Sequence, residues 1–493
     1  MIYNFNLGIG WASSGVEYAQ IYRARMFRNI GVDAKFVFTD MFPSENMEHM
    51  TKNIGFKDSE VIWIYTFFTD FKTAPVTYTL SDLEKTFTDL NYTKTREGKI
   101  CRYVFGGSNN FYTAYMVNDH DDFVHRVELV SNGFLIRKDY FTYGRVYSEY
   151  YAPLDNAAHL YHRRFFNENG SVAYEEIIDD DRVMYKFKDK ILCSKEEFVG
   201  YMVSKLNLTS DDVVLIDRST DIGQSIIMNC KPARVGTVVH ADHFSEKDTN
   251  DDYILWNNFY EYEFNMHKHI DFYICSTQAQ SDLMVQQFEK YYGVTPCVYT
   301  IPVGSLPELK YPKESRKPYS LITASRLASE KHVDWICKAV IQARAEVPEV
   351  SLDIYGVGGE REKLETIIRD NNASDYIHLM GQHDLSEVYQ NYEAYIAGST
   401  SEGFGLTLME AVGGGLPIIG FDVRYGNPTF IRDGENGYLL DLPEEDKERI
   451  EALRKGIVDL FKQDLEKCHS VSYEVAKDFL TCNVQEKWRE AVC

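Results

Sequence analysis

Two stretches of the chain alternate short apolar runs with amphipathic helix patterns, and this alternation constrains the fold more than any other feature. The first stretch has predicted strands at residues 2–6, 34–38 and 61–68, and the rhythm resumes at 213–217, 234–240, 272–276 and 297–301. The second stretch has predicted strands at 320–324, 351–355, 377–380, 395–397 and 417–420. Strands that alternate with helices form parallel sheets. The sequence therefore predicts an α/β protein with two doubly wound, Rossmann-like domains and a ligand cleft between them.

The segment from residue 73 to residue 195 has a different composition, because 22 of its residues are Tyr or Phe and none is Trp. Alternating stretches at 111–117, 123–130, 134–138 and 145–151 are separated by turn residues. This pattern predicts an antiparallel β-meander inserted into the first domain. Tyr and Phe favour half-buried strands, and exposed Tyr also suits a protein-binding face, so both interpretations stay open.

These patterns set the predicted domain boundaries. The first doubly wound domain comprises residues 1–72 and 196–305, the inserted meander 73–195, a Pro- and charge-rich linker 306–318, and the second doubly wound domain 319–475. An amphipathic helix pattern over 472–492 carries Trp488, and we expect residues 476–493 to return to the first domain. Near the N-terminus, Ser14 and Glu17 stand in capping-box spacing at the start of a helix over 16–30.

Charge and composition exclude several classes of function. The 493-residue chain has a formal net charge of −23, and such a field repels nucleic-acid phosphates. Its nine cysteines include no Cys-x-x-Cys pair, so we expect reduced packing residues. No run of about 18 apolar residues is present, and the N-terminus lacks the pattern of a signal peptide. We therefore expect a cytoplasmic protein. Because the whole molecule is negatively charged, any phosphate must bind at a site where the charge is locally positive.

The segment from Glu402 to Glu410 is the most informative for function. Glycines follow the first carboxylate, and the pattern then predicts a helix with Leu406 and Met409 facing the core. Glycines let a backbone approach a ligand closely, and a helix N-terminus offers N–H groups to an anion such as phosphate. A capped amphipathic helix with solvated glutamates explains the same pattern when it is taken alone.

Two basic residues follow the first strand of the second predicted domain. Arg326 and Lys331 lie where ligands bind in open α/β sheets, and both could neutralise a diphosphate. Alone, such a pair more often belongs to a solvated face. The run Gly356-Val357-Gly358 ends the next predicted strand, and we interpret it as support for the fold only.

Together these residues resemble the family 4 retaining glycosyltransferases, whose two Rossmann-like domains form the GT-B arrangement. The matching residues are Gly15, Arg326, Lys331, the run Gly356-Val357-Gly358, the Glu402–Glu410 pair and the run 433–437, Asp-Gly-Glu-Asn-Gly. The run from 6 to 20 and the β-rich insert look like the catalytic subunits of bacterial complexes that attach the first N-acetylglucosamine to serine-rich-repeat adhesins. That likeness spans nearly the whole chain, and the insert is its most specific element.

The resemblance implies roles for residues around the donor. Arg326 and Lys331 would stabilise the leaving nucleoside diphosphate, and Glu410 would accept hydrogen bonds from the ribose hydroxyls. The loop at Gln382 and His383 would contact the uracil. From the first domain, a short segment would close over the diphosphate, namely Gly15, Val16, Glu17 and Tyr18.

The resemblance also implies a site for the donor sugar. Glu402 and the backbone N–H groups of Gly403, Phe404 and Gly405 would hold the donor sugar and the diphosphate. His240 would contact the sugar as well, although position alone leaves His243 as an alternative and a structural histidine as the commoner case. In this class of retaining transfer the acceptor hydroxyl attacks the face that the diphosphate leaves, so positioning and charge stabilisation carry the chemistry.

The function implied is transfer of N-acetylglucosamine from its UDP donor to Ser or Thr of a serine-rich adhesin before export. The implied partners are a homologous non-catalytic subunit, bound through the insert, and the adhesin polypeptide, with membrane contact peripheral at most. No cofactor or metal is implied, because the acidic runs at 119–121 and 179–181 fall in predicted turns. The alternatives are a UDP-glucose-using transferase, a non-catalytic substrate-binding subunit and a sugar-nucleotide epimerase.

Overall fold

The structure is a computed structural model that describes residues 1–9, 15–43, 45–88, 91–106, 109–155 and 157–493. The chain divides into two compact units. The first unit contains Met1–Ala24, Val32–Val238 and Asn258–Asp271, and the second contains Arg25–Gly31, Val239–Asn257 and Phe272–Cys493. The predicted capping residue Ser14 lies outside the described residues.

The first unit contains two sheets and several short helices. Its strands are β1 (Ile2–Asn6), β2 (Ala34–Phe38), β3 (Val61–Trp63), β4 (Tyr92–Glu97), β5 (Ile100–Phe105), β6 (Phe111–Met116), β7 (Val124–Ser131), β8 (Phe134–Phe141), β9 (Arg145–Leu154), β10 (Ala157–Phe166), β11 (Val172–Asp179), β12 (Arg182–Lys186), β13 (Ile191–Leu192), β14 (Val213–Ile216) and β15 (Arg234–Val239). Its helices are α1 (Gly15–Ile30), which begins in this unit, α2 (Met47–Ile54), α3 (Ile64–Phe67), α4 (Leu80–Glu84), α5 (Lys195–Lys205), α6 (Gly223–Ile227) and α7 (Glu261–Asn265).

Five strands of the first unit form a parallel sheet in the order β15-β14-β1-β2-β3. Their apolar side chains are buried, as expected for strands with helices on both faces. The predicted strand over 61–68 is wrong in its second half, because β3 ends at Trp63 and α3 follows directly. A continuous apolar run such as this one has no periodicity that separates strand from helix.

A buried polar network fixes α1 against this sheet. The two terminal guanidinium nitrogens of Arg23 donate to the carboxylate of Asp217, at 2.9 and 2.6 Å, directly after β14. Gln20 donates to the same carboxylate at 2.8 Å, and Asn6 at the end of β1 donates to Gln20. A buried ion pair is stable only when such additional hydrogen bonds satisfy it. The network therefore sets the position of the helix that begins at Gly15.

The inserted segment is an antiparallel sheet of ten strands, β4 to β13, ordered along the sheet as along the chain. All four predicted strands of the meander are present as β6, β7, β8 and β9. Sequence patterns missed the others; β4, for example, is almost entirely exposed and shows no apolar alternation. Many of the aromatic rings form a core, as in the parallel stack of Phe165 on Tyr174, with centroids 4.5 Å apart.

The second unit contains the remaining elements. Its strands are β16 (Phe244–Ser245), β17 (Leu255–Trp256), β18 (Phe272–Cys275), β19 (Val298–Thr300), β20 (Ser320–Ala324), β21 (Ser351–Tyr355), β22 (Ile377–Gly381), β23 (Ala394–Ile396), β24 (Ile418–Phe421) and β25 (Gly437–Leu440). Its helices are α8 (Gln278–Tyr292), α9 (Val333–Ala343), α10 (Arg361–Asp370), α11 (Leu406–Gly413), α12 (Gly426–Phe430), α13 (Asp446–Leu460), α14 (Leu465–Lys477) and α15 (Thr481–Val492).

Six strands of the second unit form a parallel sheet in the order β22-β21-β20-β23-β24-β25. In chain order this is 3-2-1-4-5-6, the strand order of Rossmann folds. The order reverses between β20 and β23, and ligands of such sheets bind beyond the carboxyl ends of the strands at that point. This topology confirms the predicted doubly wound sheet.

The C-terminal segment corrects a prediction. Residues 472–492 do not form one helix, because α14 ends at Lys477 and α15 begins at Thr481. Leu306 lies beside the break, donating its N–H to the Phe479 carbonyl and accepting from the Thr481 N–H. Trp488 of α15 packs edge-on against Phe27 of α1, and both rings belong to the second unit. No helix in the described ranges is long and apolar enough to span a membrane.

Candidate active site

The candidate site lies in the second unit, at the carboxyl ends of β20 and β23 where the strand order reverses. The loop after β20 carries Arg326 and Lys331, and the loop after β23 carries Glu402 and leads into α11. Both loops are partly exposed, whereas the strands behind them are buried. The topology therefore brings together the two segments that the sequence singled out separately.

Lys331 and Glu402 form an ion pair. Nζ of Lys331 lies 2.6 Å from Oε2 of Glu402, and the two side chains are 22% and 20% exposed. Gly398 lies close to the backbone of the Lys331 loop, because a Cβ on it would stand 2.9 Å from the carbonyl oxygen of His332. Both side chains of the pair are partly exposed, so a ligand can reach them.

The backbone of Glu402 is fixed by the loop after β24. Its carbonyl accepts from the N–H groups of Tyr425 at 2.6 Å and Gly426 at 2.7 Å, and its N–H donates to the Arg424 carbonyl at 3.1 Å. A Cβ at Gly426 would lie 2.3 Å from the Phe404 carbonyl oxygen, so this close approach requires glycine. Three hydrogen bonds therefore fix the backbone from which the carboxylate extends.

The start of α11 has the geometry of an anion-binding helix end. Gly405 precedes the helix with φ +88°, a left-handed conformation that favours glycine, and no side chain caps the helix. Phe404 is 6% exposed and packs edge-on against Phe430, so its backbone alone remains for a ligand. Gly403 lies beside them and is partly exposed.

Glu410 lies in α11, one turn beyond its start. Burial raises the pKa of its carboxyl, and the charge of Asp384 raises this pKa further. The Tyr389 hydroxyl donates to Oε2 at 3.0 Å, which lowers the pKa, but the net shift is upward. Asp384 belongs to the loop after β22, which also carries Gln382 and His383. The structure therefore places the predicted base-binding loop near Glu410.

Gln382 and His383 are both exposed. Nε2 of His383 lies 2.8 Å from the Met380 carbonyl oxygen, and its ring stands edge-on to Tyr355, with centroids 5.9 Å apart. These contacts hold the His383 ring at the end of β21 and β22. A flat group such as a base has an aromatic surface beside it here.

The loop that carries Arg326 depends on the glycines after β21. Gly356 has φ +134°, and a Cβ on it would lie 1.9 Å from the Ser325 carbonyl oxygen. Leu327 donates its N–H to the Val357 carbonyl at 3.0 Å. The Arg326 side chain is 75% exposed, and its Nη2 lies 2.7 Å from Oε1 of Glu330. The Gly356-Val357-Gly358 turn thus shapes the loop, a role that sequence patterns did not assign to it.

The structure distinguishes the two candidate histidines. His243 is fully buried, with Nε2 2.7 Å from Oε1 of Gln287 and Nδ1 3.3 Å from the Tyr425 hydroxyl. Burial lowers the pKa of His243 to about 4, so it is a neutral core residue at pH 7. His240 is partly exposed, and its carbonyl oxygen would lie 3.6 Å from a Cβ on Gly403. Of the two, His240 is therefore the residue beside the candidate sugar loop.

The predicted first-domain segment lies at the start of α1, in the first unit. Gly15 is exposed, with no atom within 4 Å of the position of an added Cβ. Val16 and Glu17 are buried, and Tyr18 is 49% exposed. Gly15 and Tyr18 are thus the members of this segment with the most surface.

Tyr395 is a residue of the site that the sequence did not reveal. Its hydroxyl lies 2.9 Å from the Ala324 carbonyl, at the end of β20, and 3.1 Å from the Thr407 hydroxyl, in the first turn of α11. It therefore links the loop of Lys331 to the loop of Glu402. A tyrosine in a short apolar strand gives no local signal of such a role.

The two acidic runs of the insert lie in the predicted turns. Asn118 accepts hydrogen bonds from the N–H groups of His120 and Asp121, which defines the bend after β6. The second run joins β11 to β12. In the described ranges no cluster of three or more His, Cys, Asp or Glu has the geometry to hold a metal ion.

Two family models match the chain, the GtfA extended beta-sheet domain over residues 93–189 and the glycosyl transferases group 1 over residues 308–478. A relative from Streptococcus gordonii, named UDP-N-acetylglucosamine--peptide N-acetylglucosaminyltransferase GtfA subunit, is 52% identical over 493 residues, covering 99% of this chain and 97% of the relative.

Two solved structures are similar over the whole chain. A crystal structure of a GtfA/B complex is 52% identical, with a TM-score of 0.96, and the match covers 100% of this chain and 99% of the other. The pneumococcal O-GlcNAc transferase GtfA in complex with UDP and GlcNAc is 49% identical, with a TM-score of 0.87 and coverage of 100% and 98%.

Proposed function

The chain belongs to the family of UDP-N-acetylglucosamine–peptide N-acetylglucosaminyltransferase GtfA subunits, and from that premise we propose that it attaches N-acetylglucosamine to polypeptides. The donor is UDP-N-acetylglucosamine, and the acceptors are Ser and Thr hydroxyls of a serine-rich-repeat adhesin. The transfer retains the configuration of the donor sugar and is the first step of O-glycosylation of the adhesin.

The observation that carries this proposal is the Lys331–Glu402 ion pair at the start of α11. A cation, a carboxylate and a helix N-terminus meet at one partly exposed place. The cation and the helix end favour a diphosphate, and the carboxylate suits sugar hydroxyls. A solvated surface pair would require neither the backbone support of Glu402 nor the glycine at 405.

Donor binding would exchange the partners of both cations. The diphosphate accepts hydrogen bonds from Lys331 and Arg326 in place of Glu402 and Glu330. Glu402 is then free to bind hydroxyl groups of the sugar. As the bond between sugar and phosphate breaks, the two cations stabilise the negative charge of the leaving group. A phosphate oxygen of the donor takes the proton of the acceptor hydroxyl.

The remaining residues hold the donor in place. The Glu410 carboxylate accepts hydrogen bonds from the ribose hydroxyls, and the loop of Gln382 and His383 contacts the uracil. Gly403, Phe404 and Gly405 offer backbone N–H groups, and His240 contacts the sugar. We also assign Gly15, Val16, Glu17 and Tyr18 to diphosphate binding.

The protein works as a hetero-oligomer in this proposal. A GtfA/B complex of a 52% identical protein supports a second subunit, which we expect to be homologous and non-catalytic. The ten-stranded sheet is the surface that we assign to this subunit and to the adhesin. We place the complex in the cytoplasm, with membrane contact that is peripheral at most, and we expect transfer to need no metal ion.

The test is the intact mass of a Ser/Thr-rich adhesin fragment after incubation with the purified chain, with and without its partner, and with either UDP-N-acetylglucosamine or UDP-glucose. We expect N-acetylhexosamine increments from the first donor. Hexose increments alone would indicate a glucosyltransferase. Intact UDP-sugar binding without any increment would indicate a substrate-binding subunit, and donor turnover without acceptor would indicate an epimerase.

A further inference from the structure

The loop that follows β15 carries a second polar residue close to the candidate sugar loop. Asp242 lies two residues after His240, and both belong to the second unit, as do Glu402 and Gly403. The His240 carbonyl oxygen would lie 3.6 Å from a Cβ on Gly403, so the two loops are in contact. In the proposed function His240 contacts the sugar, whereas Asp242 has no role.

Hydrogen bonds from distant residues hold the backbone around Asp242. The side-chain amide of Gln280 donates to the Ala241 carbonyl at 2.9 Å. The side-chain amide of Asn257 donates to the Asp242 carbonyl at 2.9 Å, and its N–H donates to the His243 carbonyl at 2.9 Å. Because three consecutive carbonyls are held, the point from which the Asp242 side chain extends is fixed.

Tyr425 connects Asp242 to the backbone of Glu402. Its N–H donates to the Glu402 carbonyl at 2.6 Å, and the residue is 1% exposed. Burial raises the pKa of its hydroxyl, and the charge of Asp242 and a hydrogen bond with that carboxylate raise this pKa further. The Asp242 carboxylate therefore lies one side chain away from the residue that we propose to hold the sugar.

The carboxylate of Asp242 has unused hydrogen-bonding capacity. Its Oδ1 is shielded from solvent and accepts no hydrogen bond from any residue that the structure describes. No basic side chain of the described ranges forms an ion pair with Asp242; Arg424, next to Tyr425, pairs with Glu246 at 2.8 Å. A buried carboxylate oxygen without a partner is costly, so its presence in a native structure requires an explanation.

The chemistry of a carboxylate limits the ligand that could satisfy it. An ionised carboxylate only accepts hydrogen bonds, so the ligand must bring donors. A diphosphate has negative charge that the carboxylate repels, whereas the hydroxyl and amide N–H groups of N-acetylglucosamine are neutral donors. Asp242 as a whole is partly exposed, and the broad χ2 preference of Asp lets the carboxylate turn toward a ligand.

We propose that Asp242 is a further residue that holds the donor sugar, with its carboxylate accepting a hydrogen bond from a hydroxyl or the amide N–H of N-acetylglucosamine. The identity of the sugar rests on the proposed function. A charged acceptor forms a strong hydrogen bond, and the fixed loop gives that bond a defined direction. Asp242 would thus orient the sugar from the side of β15 while Glu402 holds it from the start of α11.

The experiment is calorimetric titration of the full chain with UDP and with UDP-N-acetylglucosamine, in the absence of acceptor. UDP lacks the sugar, so Asp242→Ala and the isosteric Asp242→Asn should bind it as the wild type does. We expect Asp242→Ala to bind UDP-N-acetylglucosamine about tenfold more weakly and Asp242→Asn about threefold, because an amide oxygen is a weaker acceptor. Asp252→Ala, which alters an exposed residue between β16 and β17, is the matched control and should bind both ligands normally.

Wild-type affinity for UDP-N-acetylglucosamine in both Asp242 variants would overturn the proposal. An equal loss of affinity for UDP and for UDP-N-acetylglucosamine would overturn it as well, since it would show that Asp242 supports the fold around Tyr425 and does not contact the sugar. If Asp242→Ala does not fold, Asp242→Asn still decides. Failure of the proposed function is separate, because it appears as a missing mass increment with the wild-type chain in the transfer assay.

Discussion

Lys331 and Glu402 are the side chains on which the proposed chemistry depends most. Sequence patterns singled out both, because each residue follows a predicted strand of the second domain and glycines follow Glu402. Each pattern taken alone also fits a solvated surface, and only their combination pointed to a site. Tyr395 and Tyr389 could not be found in this way. Their hydroxyl contacts join segments far apart in the chain, and no local pattern records such a contact.

Glu410 gives a prediction about pH. Its pKa is raised above the ordinary 4.5. In the proposed function its ionised carboxylate accepts hydrogen bonds from the ribose hydroxyls. UDP affinity is therefore full above the raised pKa and falls as the pH drops through it. Glu410→Gln should bind UDP about tenfold more weakly at pH 7 and lose this part of the pH dependence.

Calorimetric titration with UDP between about pH 5 and about pH 8 measures both effects. Glu448→Gln, on the exposed face of α13, is the control and should behave like the wild-type chain. A Glu410→Gln protein whose UDP affinity falls with pH as steeply as that of the wild type would place the responsible proton elsewhere.

At the scale of helices and strands, prediction succeeded where the pattern was regular. Strands 34–38 and 351–355 match β2 and β21 residue for residue. Prediction failed where contacts between distant segments determine the local structure. The amphipathic pattern over 472–492 continues across the break between α14 and α15, and Leu306, whose backbone hydrogen-bonds to the chain at that break, lies far away in the sequence.

The turn after β21 gives a prediction at this scale. Gly356→Ala would place a methyl group against the Ser325 carbonyl in a backbone conformation that suits glycine. We expect the free energy of unfolding of the second unit to fall by about 2 kcal/mol or more. The loop of Arg326 should shift, so UDP should bind more weakly.

Gly359→Ala is the matched control, because no atom lies within 4 Å of its added Cβ. Denaturant unfolding of both variants, followed by UDP titration, makes the comparison. If Gly356→Ala were as stable and bound UDP as well as Gly359→Ala, the turn would not shape the site.

For the whole molecule, the two alternating stretches and the aromatic segment between them were enough to predict the fold class. The sheets confirm it, with strand order 3-2-1-4-5-6 in the second unit and an antiparallel sheet inserted in the first. Strand order itself could not be predicted, because register and neighbours depend on contacts between distant segments. The predicted domain boundaries and site roles stay predictions.

Metal removal is a prediction for the complete enzyme. In the proposed function Arg326 and Lys331 supply the positive charge that a divalent ion supplies to the diphosphate in metal-dependent transferases. We expect the transfer rate to be unchanged in EDTA. A loss of activity that Mg²⁺ or Mn²⁺ restores would show that the two cations are insufficient.

The most direct test of the account compares two ion pairs of the second unit. The rate of N-acetylglucosamine transfer to the adhesin fragment is measured for Lys331→Ala and Glu402→Gln. The control variants are Lys462→Ala and Asp459→Asn. They alter an exposed ion pair, 3.3 Å apart, between α13 and the turn that follows it. We predict a loss of about a hundredfold or more for the first two and no change for the others. Folded Lys331 and Glu402 variants that transfer as fast as the control pair would contradict the assignment of the active site.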